Sequence, residues 1–110
     1  MLLLLTIFIS ACTTPQVSPA RPPTITSDQA AVNIENFAFN PAVLTIKKGT
    51  TVTWTNMDSA PHTVNSDTQW ELDSGSLSKG QSFSHTFNEA GTFDYHCAFH
   101  SMMTAKVIVE

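Results

Sequence analysis

Three side chains that bind soft metal ions lie at intervals of three residues near the carboxyl end of the sequence. Cys97 supplies a thiolate, His100 an imidazole and Met103 a thioether. A structural zinc site needs four strong nitrogen or sulfur ligands, which one thiolate and one thioether do not provide. Two histidines and one cysteine in a plane, with a weak axial methionine, instead make a blue-copper electron-transfer site. The spacing therefore favours copper and predicts a second histidine elsewhere in the chain.

His62 is the candidate for that second histidine. It follows Ala60 and Pro61 in a loop beyond the predicted strand that contains Trp54. This loop is expected at the end of the domain where Cys97 must also lie. The axial position has two candidates, because Met102 and Met103 are adjacent and successive side chains point in different directions.

The elements that must position these residues are strands. From residue 31 onward the apolar residues recur with a period of two, and no stretch has a helical apolar face. The stretch from residue 65 to residue 80 is polar and irregular, so it is predicted to be mostly loop and sheet edge. Many short strands separated by turns indicate an all-β sandwich or Greek-key barrel. The predicted strands are residues 32–34, 37–39, 43–46, 52–56, 83–87, 93–97 and 105–109.

Strand alternation separates the histidines into classes. If Tyr95 faces the core, Cys97 points the same way, into the end of the sandwich, and His96 points outward to solvent. His85 shares the core-facing parity of its own strand, so it is predicted to be a buried neutral histidine. Neither His85 nor His96 is predicted to bind the metal.

Residues 30–110 resemble the small cupredoxins, and within that family the amicyanin and plastocyanin branches. The resemblance rests on residues 36–39, 52–56, 61–62, 89–97 and 106–110. It implies an eight-stranded Greek-key β-sandwich that binds one copper ion, which cycles between Cu(I) and Cu(II). It also implies the ligands His62, Cys97, His100 and Met103, because the family spacing from the cysteine matches Met103 rather than Met102.

Two residues beside the predicted ligands depart from the family pattern. Thr63 stands where the family commonly has asparagine, whose side chain ties the two ligand loops together. A threonine hydroxyl is expected to replace that amide with less reach. Phe99 stands where amicyanins and plastocyanins usually have proline, so it keeps a backbone N–H. We expect the Cys97 sulfur to accept hydrogen bonds from this N–H and from the backbone near His62.

The amino-terminal part of the chain indicates export and anchoring. Residues 1–11 are almost wholly apolar, too short for a bilayer-spanning helix, and typical of a lipoprotein signal peptide that ends before Cys12. Residues 12–28 contain the predicted lipidated cysteine and a linker rich in proline, serine and threonine. Residues 29–110 are the predicted copper-binding domain. The protein is therefore expected outside the cytoplasm, in the periplasm or on the outer membrane face, attached to the membrane through a lipid on Cys12.

Length and charge limit the remaining possibilities. A chain of 110 residues allows one domain of this kind, and we expect a monomer. Its formal net charge of −4, with five Lys and Arg residues, leaves no basic patch for nucleic acid. With Cys12 assigned to lipid and Cys97 to metal, no disulfide is predicted.

Four protein ligands leave no open position for a substrate, so the sequence predicts an electron carrier between two redox proteins and not an enzyme. Two alternatives come from other classes. A copper-delivery or copper-storage lipoprotein would use Met57, Met102 and Met103 as a path for Cu(I). A thiol hydrolase built on Cys97 would need an oriented base and an open cleft, for which so small a domain has little room.

Overall fold

Eight strands follow one another along the part of the chain that the computed structural model describes, residues 28–68 and 72–110. The predicted signal peptide and nearly all of the predicted linker lie outside these residues. No helix that is long and apolar enough to cross a bilayer occurs in the described ranges. The strands are β1 (Gln29–Glu35), β2 (Ala38–Asn40), β3 (Val43–Ile46), β4 (Thr50–Asn56), β5 (Asn65–Ser66), β6 (Ser82–Phe87), β7 (Gly91–His96) and β8 (Thr104–Val109).

The strands form two four-stranded sheets, one in the order β2-β1-β4-β6 and the other in the order β3-β8-β7-β5. The pairs β1–β4 and β3–β8 are parallel, and the remaining pairs are antiparallel. This confirms the predicted all-β sandwich with about eight strands. The loops that carry the predicted ligands follow β4 and β7, and hydrogen bonds join them at one end of the molecule.

The core between the sheets follows the period of two. Along β4 the buried residues alternate with half-buried ones, and Trp54 is fully buried at its centre. Tyr95 of β7 packs edge-to-face against Trp54, with the ring centroids 5.6 Å apart. Truncating a buried tryptophan to alanine typically costs about 3–5 kcal/mol, so this pair contributes a large share of the sandwich's stability. It also fixes β7, the strand that leads into Cys97.

The outer face of the β4–β6 pair carries three pairs of hydroxyl side chains. Their oxygens are 2.7–2.8 Å apart, and all three pairs face away from the core. Cross-strand pairs of this kind contribute about 0.2–1 kcal/mol each relative to alanine. They therefore hold the register of β6 without adding to the core. The pairs are Thr51–Thr86, Thr53–Ser84 and Thr55–Ser82.

Phe37 differs from the sequence prediction. The alternation of residues 37–39 predicts one strand with Phe37 and Phe39 on the same face, but β2 begins at Ala38 and only Phe39 is buried. Asn36 and Phe37 form the turn before β2, with φ values of 54° and 56°. Left-handed backbone of this kind costs a non-glycine residue roughly 1–2 kcal/mol. The Asp58 carboxylate accepts hydrogen bonds from both N–H groups and so holds the turn.

Between residues 65 and 80, the described residues 65–68 and 72–80 are largely loop and edge, as predicted. Strand β5 is two residues long and lies at the edge of its sheet. The prediction missed Leu72 and Leu77, which are both buried in the core. Leu77 stands between two serines, and Leu72 alternates only with Trp70, which is too short a pattern to predict a strand.

Candidate metal centre

The loop between β7 and β8 carries three of the predicted ligands. Cys97 continues the inward parity of Tyr95 and is fully buried, which confirms the orientation predicted from alternation. Three backbone hydrogen bonds close the loop: Cys97 N to Met103 O at 3.0 Å, His100 N to Cys97 O at 3.3 Å, and Met103 N to His100 O at 2.9 Å. Met103 is buried and Met102 is 93% exposed. Of the two methionines, the structure therefore turns Met103 inward.

A buried asparagine positions the other ligand loop. Asn56, at the end of β4, donates through Nδ2 to Ala60 O at 2.9 Å and to Leu77 O at 2.8 Å. Its Oδ1 accepts the Asp58 N–H at 2.9 Å. His62 then exchanges two backbone hydrogen bonds with Leu77 and is fully buried. A loop histidine reaches the interior because the Asn56 side chain satisfies the polar groups of the turn before it.

The His62 ring points its two nitrogens at different partners. Nε2 lies 2.9 Å from Asp58 Oδ2, and Nδ1 lies 3.7 Å from Cys97 Sγ. With Nε2–H donating to the carboxylate, the lone pair of Nδ1 faces the sulfur. A carboxylate behind a histidine fixes the tautomer and orientation of metal-binding imidazoles in general. The structure therefore brings His62 and Cys97 together, with Nδ1 of the ring facing the sulfur.

Thr63 connects the two ligand loops. Its N–H donates to Cys97 Sγ at 3.4 Å, and its Oγ1 accepts the Ala98 N–H at 2.7 Å. The hydroxyl thus replaces the expected asparagine amide, as predicted. The second expected bond to the sulfur is not formed, since the structure gives Cys97 Sγ no N–H donor other than Thr63 in the described residues. The Phe99 ring is more than half exposed.

His100 is half-buried and lies against His62, with the two ring centroids 5.2 Å apart. Among residues 28–68 and 72–110, no three His, Cys, Asp or Glu side chains are gathered as a ready-made metal cluster. His62 and Cys97 bring their side-chain donor atoms within 3.7 Å of each other. These donors, an imidazole nitrogen and a buried thiol, fit a soft metal such as copper.

The other two histidines have different partners. His96 points outward, and its Nδ1 is 2.6 Å from Asp67 Oδ1 on the surface. His85 is half-buried and packs edge-to-face against Phe87, with ring centroids 4.7 Å apart. His96 is as predicted, and His85 is less buried than its parity suggested. The structure does not bring either of them to Cys97.

Asp58 is the functional residue that sequence reasoning missed. Hydrogen bonds from the Phe37 N–H, the Asn36 N–H and the His62 ring, in part opposed by burial, lower the pKa of its carboxyl from the usual 3.8. Nothing in the local sequence marks it, since Asp58 occupies an ordinary turn position after β4. Only its spacing of four residues from His62 could have indicated the contact.

The lowered pKa gives a stability prediction for the metal-free protein. A carboxyl with a depressed pKa stabilises the fold above its unfolded value and loses that contribution as the pH falls through the folded value. Near neutral pH, Asp58→Asn should reduce the free energy of unfolding by about 2 kcal/mol, within the range for a hydrogen bond to a charged group. Urea denaturation at several pH values checks this. The difference from wild type should shrink below pH 3.8, and a difference that stays constant would contradict it.

Comparison with known proteins places this geometry in a family. Residues 26–110 match the copper binding proteins of the plastocyanin/azurin family. Amicyanin of Paracoccus denitrificans is 36% identical over 102 residues, which cover 89% of this chain and 78% of that protein. Plastocyanin of Scenedesmus fuscus is 37% identical over 73 residues, covering 56% of this chain and 74% of that protein.

Solved structures agree with the sequence matches. The reduced form of an amicyanin variant in which a proline is replaced by phenylalanine aligns with a TM-score of 0.68 and 40% identity, covering 74% of this chain and 82% of the other. The Cu(I) form of a variant in which a methionine is replaced by alanine aligns with a TM-score of 0.70 and 39% identity, covering 76% and 83%. The fold is thus that of a cupredoxin.

The chain belongs to the plastocyanin/azurin family of copper-binding proteins. It is a blue copper electron-transfer protein and not an enzyme, as the sequence predicted. Its cofactor is copper.

Proposed function

We propose that His62, Cys97, His100 and Met103 hold one copper ion, and that the chain carries one electron at a time between extracytoplasmic redox proteins. The observation that carries this assignment is the His62 ring, whose Nδ1 faces the buried Cys97 sulfur while Asp58 holds Nε2. Met103 is buried in the loop that Cys97 begins. Copper, when bound, supplies the Cu(I)/Cu(II) couple.

The protein itself holds the ligands rigidly and excludes water from the copper site. Cu(II) and Cu(I) prefer different coordination, so ligands held in one arrangement reduce the rearrangement that accompanies electron transfer. Backbone hydrogen bonds close the Cys97–Met103 loop, and the Thr63 hydroxyl binds this loop to the His62 loop. Cys97 and His62 are both fully buried, which keeps water away from the pair.

The half-buried edge of His100 is the proposed port for electrons. Several apolar side chains of the two ligand loops are exposed. A small apolar surface with few charges suits brief docking, because weak redox encounters use small interfaces. The exposed side chains are Met57, Pro61, Ala98, Phe99 and Met102.

The test of this function is reversible one-electron chemistry of the copper-loaded full chain. Cu(II) should give an intense blue thiolate absorption that disappears on reduction and returns on oxidation, while the copper stays bound. The exposed thioethers of Met57 and Met102 favour copper delivery as a second candidate. Rapid loss of Cu(I) to a chelator, without a reversible couple, would support delivery and contradict electron transfer.

The axial assignment gives a further prediction. Met103→Gln should keep the copper and the blue colour but shift the reduction potential, since the axial ligand tunes it. Met102→Gln is the matched control, because the neighbouring thioether is exposed to solvent and should leave the potential unchanged. Voltammetry of the two variants decides between them. A shift of the reduction potential in Met102→Gln alone would show that the axial ligand is Met102.

The location of the protein is also a proposal. The apolar segment 1–11 and Cys12 support export followed by lipidation, and residues 13–28 would space the domain from the membrane. Metabolic labelling with a radioactive fatty acid tests this. Label in the wild type that is lost in Cys12→Ala supports the anchor, and an unlabelled wild type contradicts it.

A further inference from the structure

Three aromatic rings form a closed triangle at the metal end of the molecule. The Phe37 ring centroid is 5.2 Å from that of His62 and 5.0 Å from that of His100, and the two histidine centroids are 5.2 Å apart. The interplanar angles are 90°, 69° and 66°, so every pair meets edge to face. In the described residues, the ring contacts of His100 are those with Phe37 and His62.

The turn that carries Phe37 adopts a backbone that side chains other than glycine rarely enter. Asn36 and Phe37 both have positive φ values, 54° and 56°. Such backbone persists where its surroundings hold it, and it is often found at functional sites. Here the holding group is Asp58, whose Oδ1 accepts the Asn36 N–H at 2.8 Å and whose Oδ2 accepts the Phe37 N–H at 2.9 Å.

The same carboxylate also binds the metal-site histidine. Asp58 Oδ2, which accepts the Phe37 N–H, lies 2.9 Å from His62 Nε2. The Asp58 backbone N–H is fixed in turn by Asn56 Oδ1. One side chain therefore sets the position of the Phe37 backbone and of the His62 ring together.

We propose that Phe37 is a positioning residue of the copper site, which braces the His100 imidazole against His62 and is itself held in place by Asp58. The inference rests on the proposed ligand set. His100 is the half-buried histidine of that set and sits in the middle of a surface loop. A ring packed against it restricts its rotation, and a ligand that is held in its binding conformation releases its metal more slowly.

The experiment compares three variants of the full chain loaded with Cu(I). Phe37→Leu removes the ring and keeps an apolar side chain, and Phe37→Tyr keeps the ring. Phe99→Leu is the reference for losing an equally exposed phenylalanine, because Phe37 and Phe99 are both 54% exposed and Phe99 has no ring contact with either histidine. Each protein is mixed with an excess of a bicinchoninate chelator, and the rate of Cu(I) release is measured.

Release from Phe37→Leu should be about fivefold faster than from Phe99→Leu, the size expected for losing the edge-to-face contact that holds His100. Phe37→Tyr should release within about twofold of wild type, since the contact is retained. The second readout needs no metal. In metal-free protein the His100 ring should give one set of NMR signals in wild type and conformationally averaged signals in Phe37→Leu.

Two results would contradict the positioning role of Phe37 while leaving the proposed function intact. One is a blue wild-type protein whose Phe37→Leu variant releases Cu(I) at the rate of Phe99→Leu. The other is an unchanged His100 ring signal in metal-free Phe37→Leu that has the wild-type free energy of unfolding. A wild-type chain without blue colour would instead contradict the ligand set on which the inference rests.

Discussion

Replacing Cys97 by alanine is expected to abolish the blue colour of the copper-loaded protein. The colour comes from the copper–thiolate bond, and no other cysteine lies in the domain. His62→Ala and His100→Ala should abolish it as well, because each removes an imidazole from the trigonal set. Optical spectra of the purified variants after addition of Cu(II) measure this.

The other two histidines are the controls for that experiment. His96 faces solvent beside Asp67 and His85 packs on Phe87, so alanine at either position should leave the colour intact. A colourless His96→Ala variant with an intact fold would contradict the parity that turns Cys97 inward. A blue Cys97→Ala variant would overturn the site altogether.

Asn56→Ala is expected to give the largest loss of stability of any polar substitution near the site. The change leaves the Ala60 carbonyl and the Asp58 N–H, both half-buried, without this partner, and it removes one of the two hydrogen bonds that the Leu77 carbonyl accepts. Leaving a buried polar group unpaired costs about 1–3 kcal/mol, so we expect a loss of about 3 kcal/mol for the three hydrogen bonds together. Denaturant unfolding of the metal-free protein measures this.

The neighbouring residue provides the control for Asn56. Thr55 lies on the outward face of β4, where its hydroxyl pairs with that of Ser82. Thr55→Ala should therefore cost less than about 1 kcal/mol, the upper range for a cross-strand pair. Equal losses of unfolding free energy in the two variants would contradict the proposed role of the Asn56 side chain in holding the His62 loop. Copper affinity should also fall in Asn56→Ala, because the His62 loop loses its support.

Sequence reasoning succeeded where a residue's position follows from the strand period. Cys97 is buried because it continues the inward face of β7, and His96 is turned outward for the same reason. Both orientations follow from alternation alone. The contact of the Thr63 hydroxyl with the other loop was instead expected from the family resemblance, in which the residue after this histidine ties the two loops together.

Sequence reasoning failed where a turn overrides the alternation. Residues 37–39 read as one strand, yet the Asp58 carboxylate draws the N–H groups of Asn36 and Phe37 into a left-handed turn. Phe37 is consequently exposed, and its ring packs against those of His62 and His100. Asp58 lies 22 positions after Asn36 and 21 positions after Phe37, so no local sequence pattern reveals these hydrogen bonds.

The most direct test of the central claim is a crystal structure of the copper-loaded protein with anomalous scattering measured at the copper absorption edge. The ligand set predicts one strong anomalous peak, bounded by His62 Nδ1, Cys97 Sγ, the His100 ring and Met103 Sδ. The same map should leave Met102 and the His96 ring without a peak. A peak coordinated by His85, His96 or Met102, or one that Cys97 does not bind, would contradict the account.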